Sequence, residues 1–99
     1  MNRLRVDLDG VPLQDENGRV TAIFRFRTQA GLVLNLPESV DVLVPWDAIA
    51  SADVELRAGR VRLEFTPPGV RALRWLSGAQ VLVGEWTDRA DLDEAPRAR

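Results

Sequence analysis

The sequence predicts a mainly β domain, a small antiparallel barrel or rolled sheet of six to seven short strands with one short helix. Three observations carry this expectation. Apolar and polar residues alternate with period two along most of the chain, as in half-buried strands. Clusters of Gly, Pro, Asn and Asp interrupt that alternation at short intervals. One stretch near residues 67–79 carries helical spacing instead. At 99 residues and 45% hydrophobic content, the chain is long enough for one core and too short for two. Residues 1–86 are therefore expected to form a single domain, and residues 87–99 a polar, acidic, flexible tail.

The elements follow in order. In "RLRVDLDG", Leu4, Val6 and Leu8 share one face and Arg3, Arg5, Asp7 and Asp9 the other, which predicts a strand. Gly10 and Pro12 interrupt it, and "DENG" at 15–18 is a turn. In "RVTAIFRFRT" the inward set is expected to be Val20, Ala22, Phe24 and Phe26, with Arg19, Arg25 and Arg27 outside. "QAG" turns the chain into "LVLNL", with Leu32, Leu34 and Leu36 inward, and Pro37 ends that strand. "VDVLV" is a short apolar strand stopped by Pro45, which cannot donate to a central ladder. "PWDAIA" reads as a bend or one helical turn, with Asp47 suited to free backbone N–H groups.

"DVELRAGRVRLEF" is a hairpin. A two-residue Ala58-Gly59 connection would pair Val54 with Leu63 and Leu56 with Val61, placing all four on the buried face. It would also set Glu55 opposite Arg62. "PPGVRALRWLSGA" is the helix, with Pro67 and Pro68 at its start, Val70, Leu73 and Leu76 at helical spacing, and Gly78 as its stop. "AQVLVGEW" is the last strand.

The missing residue types constrain function most. There is no His or Cys, and neither Tyr nor Lys occurs, so all thirteen basic residues are arginine. A hydroxyl nucleophile would lack His or Lys to activate it, and proton transfer near neutral pH would fall to carboxylates. Zinc ligation by His or Cys is excluded, and no disulfide can form. These absences argue against an enzyme and imply no cofactor and no metal site. No apolar run approaches the ~20 residues of a membrane span, and the opening residues do not resemble a signal peptide. A cytoplasmic protein without membrane contact is expected. A net charge of −2 argues against nonspecific nucleic-acid binding over the whole surface.

Two constellations stand out. Trp75 beside Arg71 and Arg74 on the outer face of the helix is the candidate partner-binding site, because Trp and Arg are enriched at binding hot spots. The plainer interpretation lays Trp75 against the sheet and puts Trp46 and Trp86 in the core. Arg25, Arg27, Arg60 and Arg62 project from polar strand faces, and grouped together they would form an anion- or RNA-binding face. The plainer interpretation is a solvated sheet face paired with Glu55 and Glu64. Asp7, Asp9, Asp15 and Glu16 lack the spacing of a calcium loop. No phosphate-cradling glycine motif is present. An unpaired edge strand would also permit a homodimer.

"GVPLQDENGRVTAIFRF" and "VLVPWDAIASADVELRAG" together resemble the PRC-barrel family of small β-barrels. The first is similar to that family's opening hairpin, with a Gly before a strand and a D-x-x-G-type turn after it. The second is similar to its hydrophobic–Pro–Trp–x–x–Ile step into a later strand. The resemblance implies a non-catalytic, adaptor-like domain binding a protein or RNA partner. The segment from Pro67 to Trp86 departs from the family pattern. A bacterial pleckstrin-homology-like roll is also similar at "Pro-Trp-Asp-x-Ile", but its long C-terminal helix has no counterpart after Trp86.

Overall fold

The computed structural model describes residues 8–86. The strand expected at 3–8, apart from Leu8, and the tail at 87–99 lie outside the described residues. Seven strands form one antiparallel sheet: β1 (Pro12–Gln14), β2 (Val20–Arg27), β3 (Gly31–Asn35), β4 (Asp41–Pro45), β5 (Ile49–Glu55), β6 (Arg60–Phe65) and β7 (Val81–Glu85). Their spatial order is β4-β3-β2-β1-β7-β6-β5, and the sheet curls into a half-barrel. Its edges, β4 and β5, are consecutive in sequence and joined by a 3₁₀ turn at Trp46–Ala48. A short helix, α1 (Pro67–Ala72), and a second 3₁₀ turn at Arg74–Leu76 lie between β6 and β7.

The inner face follows from alternation. Leu13, Ala22, Phe24, Leu32, Leu34, Val44, Val61, Leu63, Phe65 and Leu82 are buried, and with Leu8, Val11, Ala48 and Leu76 they form one cluster. The "DENG" turn forms as expected. The Asp15 carboxylate accepts from the backbone N–H groups of Asn17 at 2.9 Å and Arg19 at 3.0 Å, an Asx-type turn. Pro45 stands at the end of an edge strand, where its missing N–H costs no ladder bond.

Pro12–Gln14 pairs with β2 and touches β7 at Gln14↔Val83. Three expectations are corrected. Phe26 and Val20 do not face inward; they are 49% and 43% exposed, whereas Phe24 is 3% exposed. Val20 lies beyond a bulge against β1, where Leu13 pairs with Ala22 but Gln14 pairs with Val20. Phe26 is turned out by a bulge: Phe24 pairs with Leu34 but Phe26 pairs with Val33, two steps on β2 for one on β3. An extra residue inverts the parity of every side chain after it. Arg27, expected outside, consequently pairs with the buried Leu32.

The hairpin register also differs. Val54 pairs with Val61, Ala52 with Leu63, Asp53 with Arg62 and Glu55 with Arg60. The connection is the four residues Leu56–Gly59, and Leu56 is 53% exposed. Ala58 cannot easily take the positive φ a two-residue primed turn requires. The chain instead reserves that conformation for Gly59 (φ 68°), whose N–H donates to the Glu55 carbonyl at 2.9 Å. Because the shift is even, the apolar face is preserved.

Finally, the helix is shorter than expected. It ends at Leu73 (φ −94°, ψ 88°) and resumes as the 3₁₀ turn. In a straight α-helix Val70 and Leu76 would diverge by about 120° at 3.6 residues per turn. The non-helical backbone at Leu73 re-aims the chain into the 3₁₀ turn, where Leu76 is buried.

The bulge yields a test that simple alternation would fail. Phe24→Ala should cost about 3–5 kcal/mol by opening a core cavity, while Phe26→Ala should cost less than about 1 kcal/mol. Urea denaturation of the two variants measures the difference.

Candidate binding surface at the capped end of the sheet

The end of the half-barrel where β4 passes into β5 is closed by α1 and its two flanking 3₁₀ turns. Thr66 starts α1 by accepting a hydrogen bond from the Gly69 N–H at 3.0 Å. Pro67 follows at a position where no N–H is needed. Gly69 is buried against the Trp46–Ala48 turn. A Cβ there would lie 2.7 Å from the Ala48 carbonyl oxygen and 2.9 Å from its Cβ, so only glycine permits this approach. The Thr66 N–H donates to the same carbonyl at 2.9 Å. Beyond Leu73, the Trp75 ring meets the buried Phe65 edge-to-face, with centroids 6.5 Å apart and planes at 88°. Such a pair contributes about 0.5–1.5 kcal/mol beyond its buried area.

Trp46 fastens the other side of the cap. Its indole N–H donates to the Gln29 carbonyl at 2.8 Å, and its backbone N–H to the Ala30 carbonyl at 3.2 Å. The β2–β3 turn that supplies these acceptors is itself held by Thr28, whose hydroxyl accepts from the N–H groups of Ala30 and Gly31. The Arg27 guanidinium lies over the Trp46 ring, 5.3 Å from its centroid. The β2 bulge is what brings Arg27 there. Trp46, Trp75 and Trp86 are all half-buried and packed against the core, so the plainer expectation holds for part of each ring.

The arginines divide into two groups. Arg25 ion-pairs with Asp9 at 3.0 Å and Asp41 at 3.7 Å. Arg60 pairs with Glu85 at 3.3 Å and Glu55 at 3.8 Å, and Arg62 with Glu64 at 3.4 Å. These three are neutralised on the sheet, as a solvated face would be. The candidate anion-binding set is not gathered. Arg60 and Arg62 lie on β6 and Arg25 and Arg27 on β2, with β1 and β7 between them. At the usual strand spacing that separation is about 14 Å.

Arg71 and Arg74 are exposed on the cap. Among the described residues no carboxylate lies within 4.0 Å of Arg71, Arg74 or Arg27. The structure thus brings Arg71, Arg74 and Trp75 together on one cap, and Arg27 joins them at its border. Sequence reasoning put Arg27 with the sheet arginines, and no signal in the alternation marks the bulge that moves it.

A recess of about 560 Å³ is lined by Pro12, Gln14, Asp15, Ala58, Val83, Glu85 and Trp86. Its two carboxylates are committed, Asp15 to the turn and Glu85 to Arg60. Phe26, Val33 and Leu43 form a cross-strand apolar row outside the sheet, running to the β4 edge. Among the described residues no three carboxylates converge as a metal site, and no helix is long and apolar enough to cross a membrane. Comparisons with protein-family models, curated proteins and solved structures return no match.

Trp46→Phe keeps an aromatic ring, though a smaller one, and removes the indole N–H. It should lower stability by about 0.5–1.5 kcal/mol, and the cost should register as a fall in thermal midpoint with the far-ultraviolet spectrum unchanged.

Proposed function

We propose that this protein is a non-catalytic binding or assembly module that recognises a protein partner through its capped end. The observation carrying this reading is the contrast between the arginines. Arg25, Arg60 and Arg62 are ion-paired, whereas Arg71 and Arg74 have no carboxylate partner among the described residues and stand beside a partly buried Trp75. An aromatic ring flanked by guanidiniums that have no ion-pair partner among the described residues, on a rigid support, matches the composition of protein-binding hot spots. The support is rigid because Gly69 and Phe65 fix the cap to the sheet.

The absence of His, Cys, Tyr and Lys from the chain supports a non-catalytic role. The adaptor-like role implied by the PRC-barrel resemblance agrees with it. An RNA- or phosphate-binding role for Arg25, Arg27, Arg60 and Arg62 finds less support, because three of the four already hold carboxylates.

The test is affinity capture from a native lysate with the wild-type chain and two variants. Capture of a specific partner should fall at least about tenfold when Arg71, Arg74 and Trp75 are all changed to Ala. It should persist when Arg60 and Arg62 are changed to Gln. Capture indifferent to the first set, or lost with the second, would remove the cap from the account.

A further inference from the structure

We propose that the partner presents an acidic polypeptide segment, and that Arg27 on Trp46 belongs to the same recognition surface as Arg71, Arg74 and Trp75. This rests on the capped end being the partner-binding face. The Trp46–Ala48 turn links the two halves of the surface. Trp46 at its start carries Arg27, and Ala48 at its end carries Gly69, two residues before Arg71. A 3₁₀ rise of about 2 Å per residue puts those two supports roughly 4 Å apart along the turn.

Charge selects the occupant. The cap and its border carry three guanidiniums, Arg27, Arg71 and Arg74, against one carboxylate in the same elements, Asp47. The surface is therefore locally cationic on a chain of net charge −2. A carboxylate-bearing segment supplies a counter-charge and can accept paired N–H bonds from each guanidinium.

The rings argue for polypeptide over single-stranded nucleic acid. Stacking a base needs an open aromatic face. One face of Trp46 is covered by Arg27, and Trp75 is anchored on Phe65, leaving each ring partly exposed. An apolar side chain next to the carboxylates suits what remains.

Three probes test this by fluorescence anisotropy: a labelled peptide of repeating Glu-Asp-Leu, one of repeating Lys-Arg-Leu, and a polyuridine oligonucleotide. The acidic peptide should bind the wild-type chain more tightly than the other two. Arg27→Glu and Arg74→Glu should each weaken it about tenfold, while Arg57→Glu in the distant β5–β6 loop leaves it unchanged. Reversing Arg27, Arg71 and Arg74 together should transfer preference to the Lys-Arg-Leu peptide. Circular dichroism establishes that the variants remain folded, and the gain of basic-peptide binding cannot arise from unfolding alone.

Polyuridine binding as tightly as the acidic peptide would overturn the assignment, as would an acidic peptide indifferent to all three reversals. An Arg27→Glu variant that binds like the wild type would exclude Arg27 from the surface. If the peptides fail while lysate capture still depends on Arg71, Arg74 and Trp75, the partner-binding face stands and the acidic chemistry falls.

Discussion

A sheet that curls without joining its edges leaves part of its apolar interior facing water unless something covers it. Here β4 and β5 are neighbours in sequence but occupy opposite edges of the sheet. The chain crosses between them in three residues, too few to cover the opening. The segment after β6 supplies the lid, and two contacts fasten it: Gly69 on Ala48 and Trp75 on Phe65. Both are matters of shape. The first needs a missing side chain and the second a ring that reaches the core edge-on.

Function, on this account, follows from that closure. A lid over an open sheet has an inner face committed to packing and an outer face free of it. Polar strand residues find partners on neighbouring strands, as Arg60 does between Glu55 and Glu85. Residues on the lid have no adjacent strand to supply a counter-charge, and Arg71 and Arg74 have no ion-pair partner among the described residues. The β2 bulge extends the same logic to Arg27. By inverting parity it removes that side chain from the strand face where Arg25 meets Asp9 and Asp41, and sets it on an indole instead.

Much of the fold was legible because period-two alternation is imposed directly by burial on one side of a strand. Leu32 and Leu34, or Val61, Leu63 and Phe65, could be assigned inward from spacing alone. What escaped were features whose cause lies elsewhere in space. The bulge after Phe24 leaves no trace in the local pattern, so alternation puts Phe26 inward, where the structure exposes it, and gives no sign that the exposed Arg27 rests on Trp46. The hairpin register differs by two because an even shift keeps Val54, Val61 and Leu63 on the same face and releases only Leu56 to the turn, which alternation cannot detect. The helix break at Leu73 reflects the need to bury Leu76, which helical spacing does not reveal. For the candidate surface, Arg71, Arg74 and Trp75 were visible as a cluster, but the pairing of the sheet arginines depends on cross-strand neighbours and was legible only for the glutamates nearby.

The seating of the lid is the claim on which the rest turns, and through-space proton contacts in solution measure it most directly. A two-dimensional nuclear Overhauser spectrum should show the Trp75 ring protons close to those of Phe65, and the Gly69 α-protons close to the Ala48 methyl group. If the sheet contacts between Val61 and Gly84 are present and these two are missing, the half-barrel is not capped in this way and the recognition surface loses its foundation.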